Sequence, residues 1–290
     1  LVYVHGLPAL LADGGLEAPD LLGSFERSET EIALWLEDLG DPPAPGWTSP
    51  SLARAARALG VGQGALVAAG SVPGHAWLSR RFLRDYSTSK QVDWDLIHDA
   101  AAWQQPLIRQ YWPASLQTDM ARLFAERDRW LGLLETLPRT LCHLDFWPNN
   151  LVAVDSERTA VLDWAFSGDG ALGEDVGNLV PDAIFDHFLP AADLPELDHA
   201  VYVAYVEGLR EGGWNGDERL VRLAMCASAV KYLFLVPRLL ERASEATHFA
   251  YGGAEALPAE LRYGHRGATL AYLAQWAEEA RTLAVSTGRG

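Results

Sequence analysis

The chain has 290 residues, enough to bury a large core in one large domain or two unequal lobes. Hydrophobic residues make up 49% and charged residues 21%, which excludes a mostly disordered chain. The 39 Asp and Glu against 23 Lys and Arg give a net charge of −16, which argues against a free-standing nucleic-acid binder. Only two of the basic residues are lysines, Lys90 and Lys231. The two cysteines, Cys142 and Cys226, do not make a disulfide framework and fit a reducing compartment; a cytoplasmic protein is expected. Residues 1–12 are apolar but lack a basic start and are interrupted by Pro8, so they do not read as a signal peptide. The run 223–236 is too short to span a bilayer and contains Lys231, so a buried core helix is expected and no membrane partner.

In chain order, residues 1–11 can form a helical end that stops near Gly14 and Gly15. Residues 20–26 and 31–37 read as two strands separated by a polar stretch. The proline-rich segment 41–46 is a rigid connector and the best boundary. Beyond it the chain turns largely helical. Residues 49–59 carry Leu52, Ala55, Ala56 and Leu59 on one face, with Gly60 expected to close the helix. Residues 118–137 carry a strong apolar stripe and are expected to form one long helix. Residues 151–154 and 159–162 are short strands of a hairpin. Helices follow at 197–211, 217–241 and 263–284, the second kinked or divided by Pro237.

Two motif-like runs fail on context. Gly60-Val61-Gly62-Gln63-Gly64-Ala65 has the spacing of a dinucleotide-binding turn but follows a helix rather than a strand. Residues 163–174 imitate a calcium loop, yet Ala165 stands where a ligand oxygen is required.

The dense region is His143-Leu144-Asp145-Phe146-Trp147-Pro148-Asn149-Asn150, then the hairpin, then Leu162-Asp163-Trp164. A tight hairpin sets the segments around Asn150 and Asp163 side by side, since paired strands lie about 5 Å apart. An amide oxygen and a carboxylate so placed are hard ligands suited to Mg²⁺. Asp145, left on the loop, is positioned to take a proton from a hydroxyl. That is the arrangement phosphoryl transfer requires.

His143-x-Asp145-x-x-x-x-Asn150 with Leu162-Asp163-Trp164 resembles the catalytic core of the aminoglycoside phosphotransferase and choline kinase group, within the protein-kinase-like fold. The resemblance extends to Glu174-Asp175-Val176-Gly177-Asn178-Leu179, where it implies that Asp175 braces the catalytic loop. His143 is expected to fix that loop rather than to act on substrate. Residues 32–39 resemble the last strand of the nucleotide lobe running into the hinge, which implies that the backbone around Leu36, Glu37 and Asp38 faces adenine. The fold class implied is α+β: residues 1–40 as a remnant of a small nucleotide lobe, and 41–290 as a helical catalytic and acceptor lobe with an embedded hairpin. The function implied is an ATP- and Mg²⁺-dependent phosphotransferase acting on a small-molecule hydroxyl. A non-catalytic, pseudokinase-like binding protein of the same fold is the alternative.

The family's glycine-rich loop and phosphate-binding lysine would lie upstream of Leu1, so the chain is expected to be incomplete at that end. By topology neither Lys90 nor Lys231 stands where that lysine belongs. Acidic and aromatic residues of the second lobe, namely Asp93, Asp95, Asp99, Trp147, Asp182 and Asp186, are candidates to line the acceptor site. They favour a cationic acceptor such as an aminoglycoside or another amine or sugar.

Overall fold

The computed structural model describes residues 1–40, 46–155, 158–245, 247–249 and 256–290. All of the expected connector 41–46 except Gly46 lies outside the described residues, as do Ser156 and Glu157 of the hairpin loop. The expected helical start is instead a 3-10 turn, Pro8–Gly14, ended by Gly15 in the left-handed region at φ 87°. It leads into β1 (Leu16–Glu17), then β2 (Leu21–Glu26) and β3 (Ile32–Leu36), an antiparallel hairpin. The strands β1 and β6 (Thr159–Val161) run parallel, and β6 pairs antiparallel with β5 (Leu151–Ala153). Leu7, Leu11 and Leu16 are therefore buried in the same core as the helical body, on the other side of the expected division at residue 40.

The body holds α1 (Ser49–Ala68), α2 (Phe82–Ser89), α3 (Pro106–Tyr111), α4 (Leu116–Ala125), α5 (Arg127–Leu134), α6 (Glu174–Phe185), α7 (Leu194–Glu211), α8 (Glu218–Ala227), α9 (Leu235–Glu241) and α10 (Ala259–Ser286). Strands β4 (Arg139–Cys142) and β7 (Gly168–Ala171) form an antiparallel pair that enters and leaves the dense region. A last small pair joins β8 (His248–Phe249) and β9 (Ala256–Leu257).

Helix α1 does not stop at Gly60. Thr48 caps its start, accepting from the Ser51 amide at 3.3 Å, and the helix runs on through three glycines. Those glycines are contact points. A Cβ on Gly60 would collide with the Tyr205 carbonyl oxygen, and one on Gly208 with that of Arg57. A Cβ on Gly62 would lie 2.6 Å from the Leu11 Cα. Each glycine costs a helix about 1 kcal/mol against alanine. Here the close crossing of α1 and α7 and the packing of the first turn outweigh that cost.

The expected helix 118–137 is two helices meeting at Glu126. Its carboxylate accepts from Trp130 Nε1 at 3.1 Å and from Arg281 Nε at 2.9 Å, fixing the bend to α10. The expected helix 217–241 breaks at a 3-10 turn, Ser228–Tyr232, and not at Pro237. Pro237 sits in the first turn of α9, where a missing amide hydrogen is harmless. The stretch Glu218–Glu241 is long and apolar enough to cross a membrane, but 83% of its most apolar window is buried inside the fold, as in a core helix.

Candidate active site

Strand β4 delivers the chain to His143 and Leu144, and Leu144 adopts φ 65°, a backbone region costly for a leucine. Asp175, in the first turn of α6, holds it there. Its carboxylate accepts from the amides of Leu144 at 2.7 Å and His143 at 3.1 Å, and from Gln63 Nε2 at 2.9 Å. Burial raises the Asp175 pKa, and these three donors pull it back. Gln63 is thus the purpose of the glycine run. The helix crossing carries it inward, where it also donates to the Leu141 carbonyl at 3.0 Å and accepts from Tyr205. Sequence reasoning missed it; the one long polar side chain among the glycines was the available signal.

His143 is fully buried. Its Nδ1 accepts from the Asp145 amide at 3.2 Å, so Nε2 carries the proton and donates to the Leu162 carbonyl at 2.8 Å. Burial depresses its pKa to about 4, so the ring is neutral and ties the loop to the strand end before Asp163. Asn178 Nδ2 donates to the Phe146 carbonyl at 3.2 Å, and Trp47 Nε1 to that of Pro148 at 3.1 Å.

Asp145 emerges half-buried from this framework. Asn150 Nδ2 donates to its backbone carbonyl and to its Oδ2, both at 2.9 Å. Burial raises the Asp145 pKa, while the Lys231 ammonium and the Asn150 amide lower it. The hairpin register aligns Leu151 with Val161, and the Leu162 amide donates to the Asn150 carbonyl at 2.8 Å. Asp163 is therefore the residue after Asn150's cross-strand partner. It sits at φ 49° and is exposed, its Oδ1 accepting from the Ala165 amide at 3.4 Å. Among the described residues the Asn150 amide oxygen accepts no hydrogen bond. Two hard oxygens are thus left for a divalent cation. Among the described residues no group of three or more His, Cys, Asp or Glu could hold a metal, so a cation here would complete its shell with water and phosphate oxygens.

A cavity of about 300 Å³ opens beside Asp145. Trp147, Asp182 and Asp186 line it, together with Tyr86, Lys90, Lys231, Phe234, Arg238 and Arg266. Asp182 lies 3.8 Å from Lys231 Nζ, and burial lifts its pKa to about 6 despite that neighbour. Asp186 pairs with Arg266 at 3.0 Å. Asp93, Asp95 and Asp99 do not border the cavity. Asp93 accepts from the Asp95 amide at 3.1 Å and Asp99 from the Ala101 amide at 2.8 Å, so Asp93 and Asp99 are turn-capping residues, and Asp95 is exposed between them. Leu36 ends β3 and Glu37 and Asp38 follow it, where the Glu37 amide bonds the Asp20 carbonyl at 2.9 Å and Asp38 accepts from the Gly40 amide at 2.9 Å. The basic lining was missed because its residues come from the end of α2, where Lys90 follows the last turn, from the turn Ser228–Tyr232, and from α9 and α10, far apart in sequence. The lone charge within the apolar run 223–236 was the one hint.

A small β-hairpin, a helical body, and a loop carboxylate beside a metal-suited hairpin define a kinase-like fold. Solved structures share it. An aminoglycoside phosphotransferase from Alicyclobacillus acidocaldarius is 16% identical with TM-score 0.54, the match covering 97% of this chain and 82% of that one. A choline/ethanolamine kinase family protein from Mesorhizobium loti is 18% identical with TM-score 0.51, covering 95% and 81%. No curated protein matches the chain in sequence. The family model described as phosphotransferase enzyme family matches residues 5–215, and the chain belongs to that family. That family is one of phosphotransferase enzymes.

Proposed function

We propose that the protein transfers the γ-phosphate of ATP to a hydroxyl of a small molecule bound in the cavity beside Asp145. The observation that carries this reading is the placement of Asp145 at a cavity mouth, held by Asn150, with Asn150 and Asp163 brought together by the hairpin. The Asp145 carboxylate takes the proton of the acceptor hydroxyl as its oxygen bonds to phosphorus and the bond to the leaving ADP breaks. Asn150 and Asp163 would hold Mg²⁺, which supplies charge neutralisation to the phosphates. His143 and Asp175 position the loop, and the backbone around Leu36, Glu37 and Asp38 faces the adenine.

The test is Asp145→Asn, assayed by ADP release and by the appearance of phosphorylated product. A loss of about 10²–10⁴-fold in turnover with nucleotide binding retained is expected. Undiminished turnover refutes the role of Asp145. Ligand binding without ADP release in the unaltered protein would mark the non-catalytic alternative.

A further inference from the structure

We infer that the cavity beside Asp145 is built for a hydroxyl compound that also carries a carboxylate, received by Lys90 and Arg238. The inference rests on the reading of Asp145 as the group facing the acceptor, and it names the acceptor's chemical class. The ionic groups of the lining sort themselves by distance. Lys231 faces Asp182 at 3.8 Å and Arg266 faces Asp186 at 3.0 Å, so the two carboxylates that favoured a cationic acceptor already have cations beside them. Lys90 and Arg238 have no carboxylate within ion-pair distance among the described residues. Instead, Lys90 Nζ rests 3.5 Å from the centroid of the Tyr86 ring and 5.0 Å from that of Phe234. The Arg238 guanidinium lies 5.3 Å from the same Phe234 ring. Two cations therefore lie near one aromatic ring of the cavity, and neither forms an ion pair with a carboxylate among the described residues.

That arrangement is unfavourable as it stands. Burial first, then the charges of Arg238 and Lys231, depress the Lys90 pKa, and the Asp145 carboxylate only partly opposes them. A bound carboxylate relieves the repulsion and accepts charge-assisted hydrogen bonds from both. The aromatic rings supply an apolar wall for the body of the ligand. Both lysines of a chain with net charge −16 border this one cavity. In a protein whose overall field repels anions, such a cation cluster gives local selectivity that the surface cannot.

Three acceptors of matched shape test this: para-(hydroxymethyl)benzoate, the corresponding benzamide, and the corresponding benzylamine. Calorimetry on the full chain without nucleotide should find the benzoate bound at least about tenfold more tightly than the amide, with the amine weakest. Lys90→Met and Arg238→Gln should each erase the preference, Lys90→Arg should keep it, and Asp145→Asn should retain or tighten benzoate binding. Circular dichroism of each variant checks that it is folded. Equal binding of the three, preference for the amine, or benzoate binding indifferent to Lys90 overturns the inference. So does a Lys90→Met variant that raises KM for ATP alone, since the cation would then serve the nucleotide. Lys90-dependent benzoate binding with no phosphorylated product from any acceptor leaves this inference standing and removes the phosphotransfer reading. Turnover restricted to the amide or amine does the reverse.

Discussion

Around Asp175, three buried donors converge on one carboxylate and hold a leucine in a left-handed conformation. In the β2–β3 hairpin, by contrast, Leu22, Phe25, Ile32, Leu34 and Trp35 are all exposed, Leu22 by 70%. The hairpin pairs with no other strand among the described residues. The difference separates what holds the reacting loop in place from what the fold leaves free. Hydrogen bonds cut off from water are expensive to lose, whereas exposed apolar side chains have little burial to forfeit. The stability of the molecule therefore resides in the body that shapes the loop.

The largest effect is expected from Asp175→Ala. It strands the amides of His143 and Leu144 and the Gln63 side chain in a dry interior. Unfolding in urea should show a loss of about 3–5 kcal/mol. A loss below about 1 kcal/mol would mean that water replaces the carboxylate, and that the loop is less enclosed than the contrast with the hairpin requires.

Glu174 provides the next test, through pH. It is buried beside Asp175 and accepts from the Ala171 amide at 3.0 Å; burial lifts its pKa from 4.5 to about 7. A carboxyl raised in the folded state stabilises most below its unfolded pKa and loses that contribution as pH climbs through the folded one. Glu174→Gln should therefore gain on the unaltered protein between pH 4.5 and 8, by about 3 kcal/mol at most. The difference between the two stability curves cancels opposing shifts such as that of His143. A flat difference would show that Glu174 ionises as freely as in the unfolded chain.

Gly60→Ala and Gly208→Ala follow. In an exposed helix either change would add up to about 1 kcal/mol of stability. At the crossing of α1 and α7 each new methyl group meets a backbone carbonyl, so a loss of about 1–3 kcal/mol is expected. The sign alone decides whether the two helices cross as closely as described.

These residues also mark where sequence reading works and where it stops. The loop 143–150 and the hairpin pairing were legible because their relations are local or carried by fixed spacing, whereas Asp175 as the loop's brace came from the family resemblance. Leu151 faces Val161 as a tight hairpin demands, and Asn150, not the exposed Asn149, is the residue bonded to Asp145. Gln63 was not legible, since it reaches Asp175 across 112 residues. Nor was the basic lining, because Lys90, Lys231 and Arg238 meet only after three separate elements have packed. Gly60 misled for a related reason. Local propensity favoured a helix end, and packing against α7 overrode it.

The smallest effect belongs to the hairpin itself. Trp35 is 57% exposed, so Trp35→Ser removes mainly surface already in contact with water. Its stability cost should stay within about 0.5 kcal/mol by urea unfolding. The same variant separates two roles for these strands. If β3 serves only to carry the chain to Glu37 and Asp38, KM for ATP should be unchanged along with stability. If the exposed apolar face contributes to nucleotide binding, KM for ATP should rise at constant stability. A stability loss above about 1 kcal/mol would instead show that the hairpin is packed in solution, and the contrast with the body around Asp175 would fail.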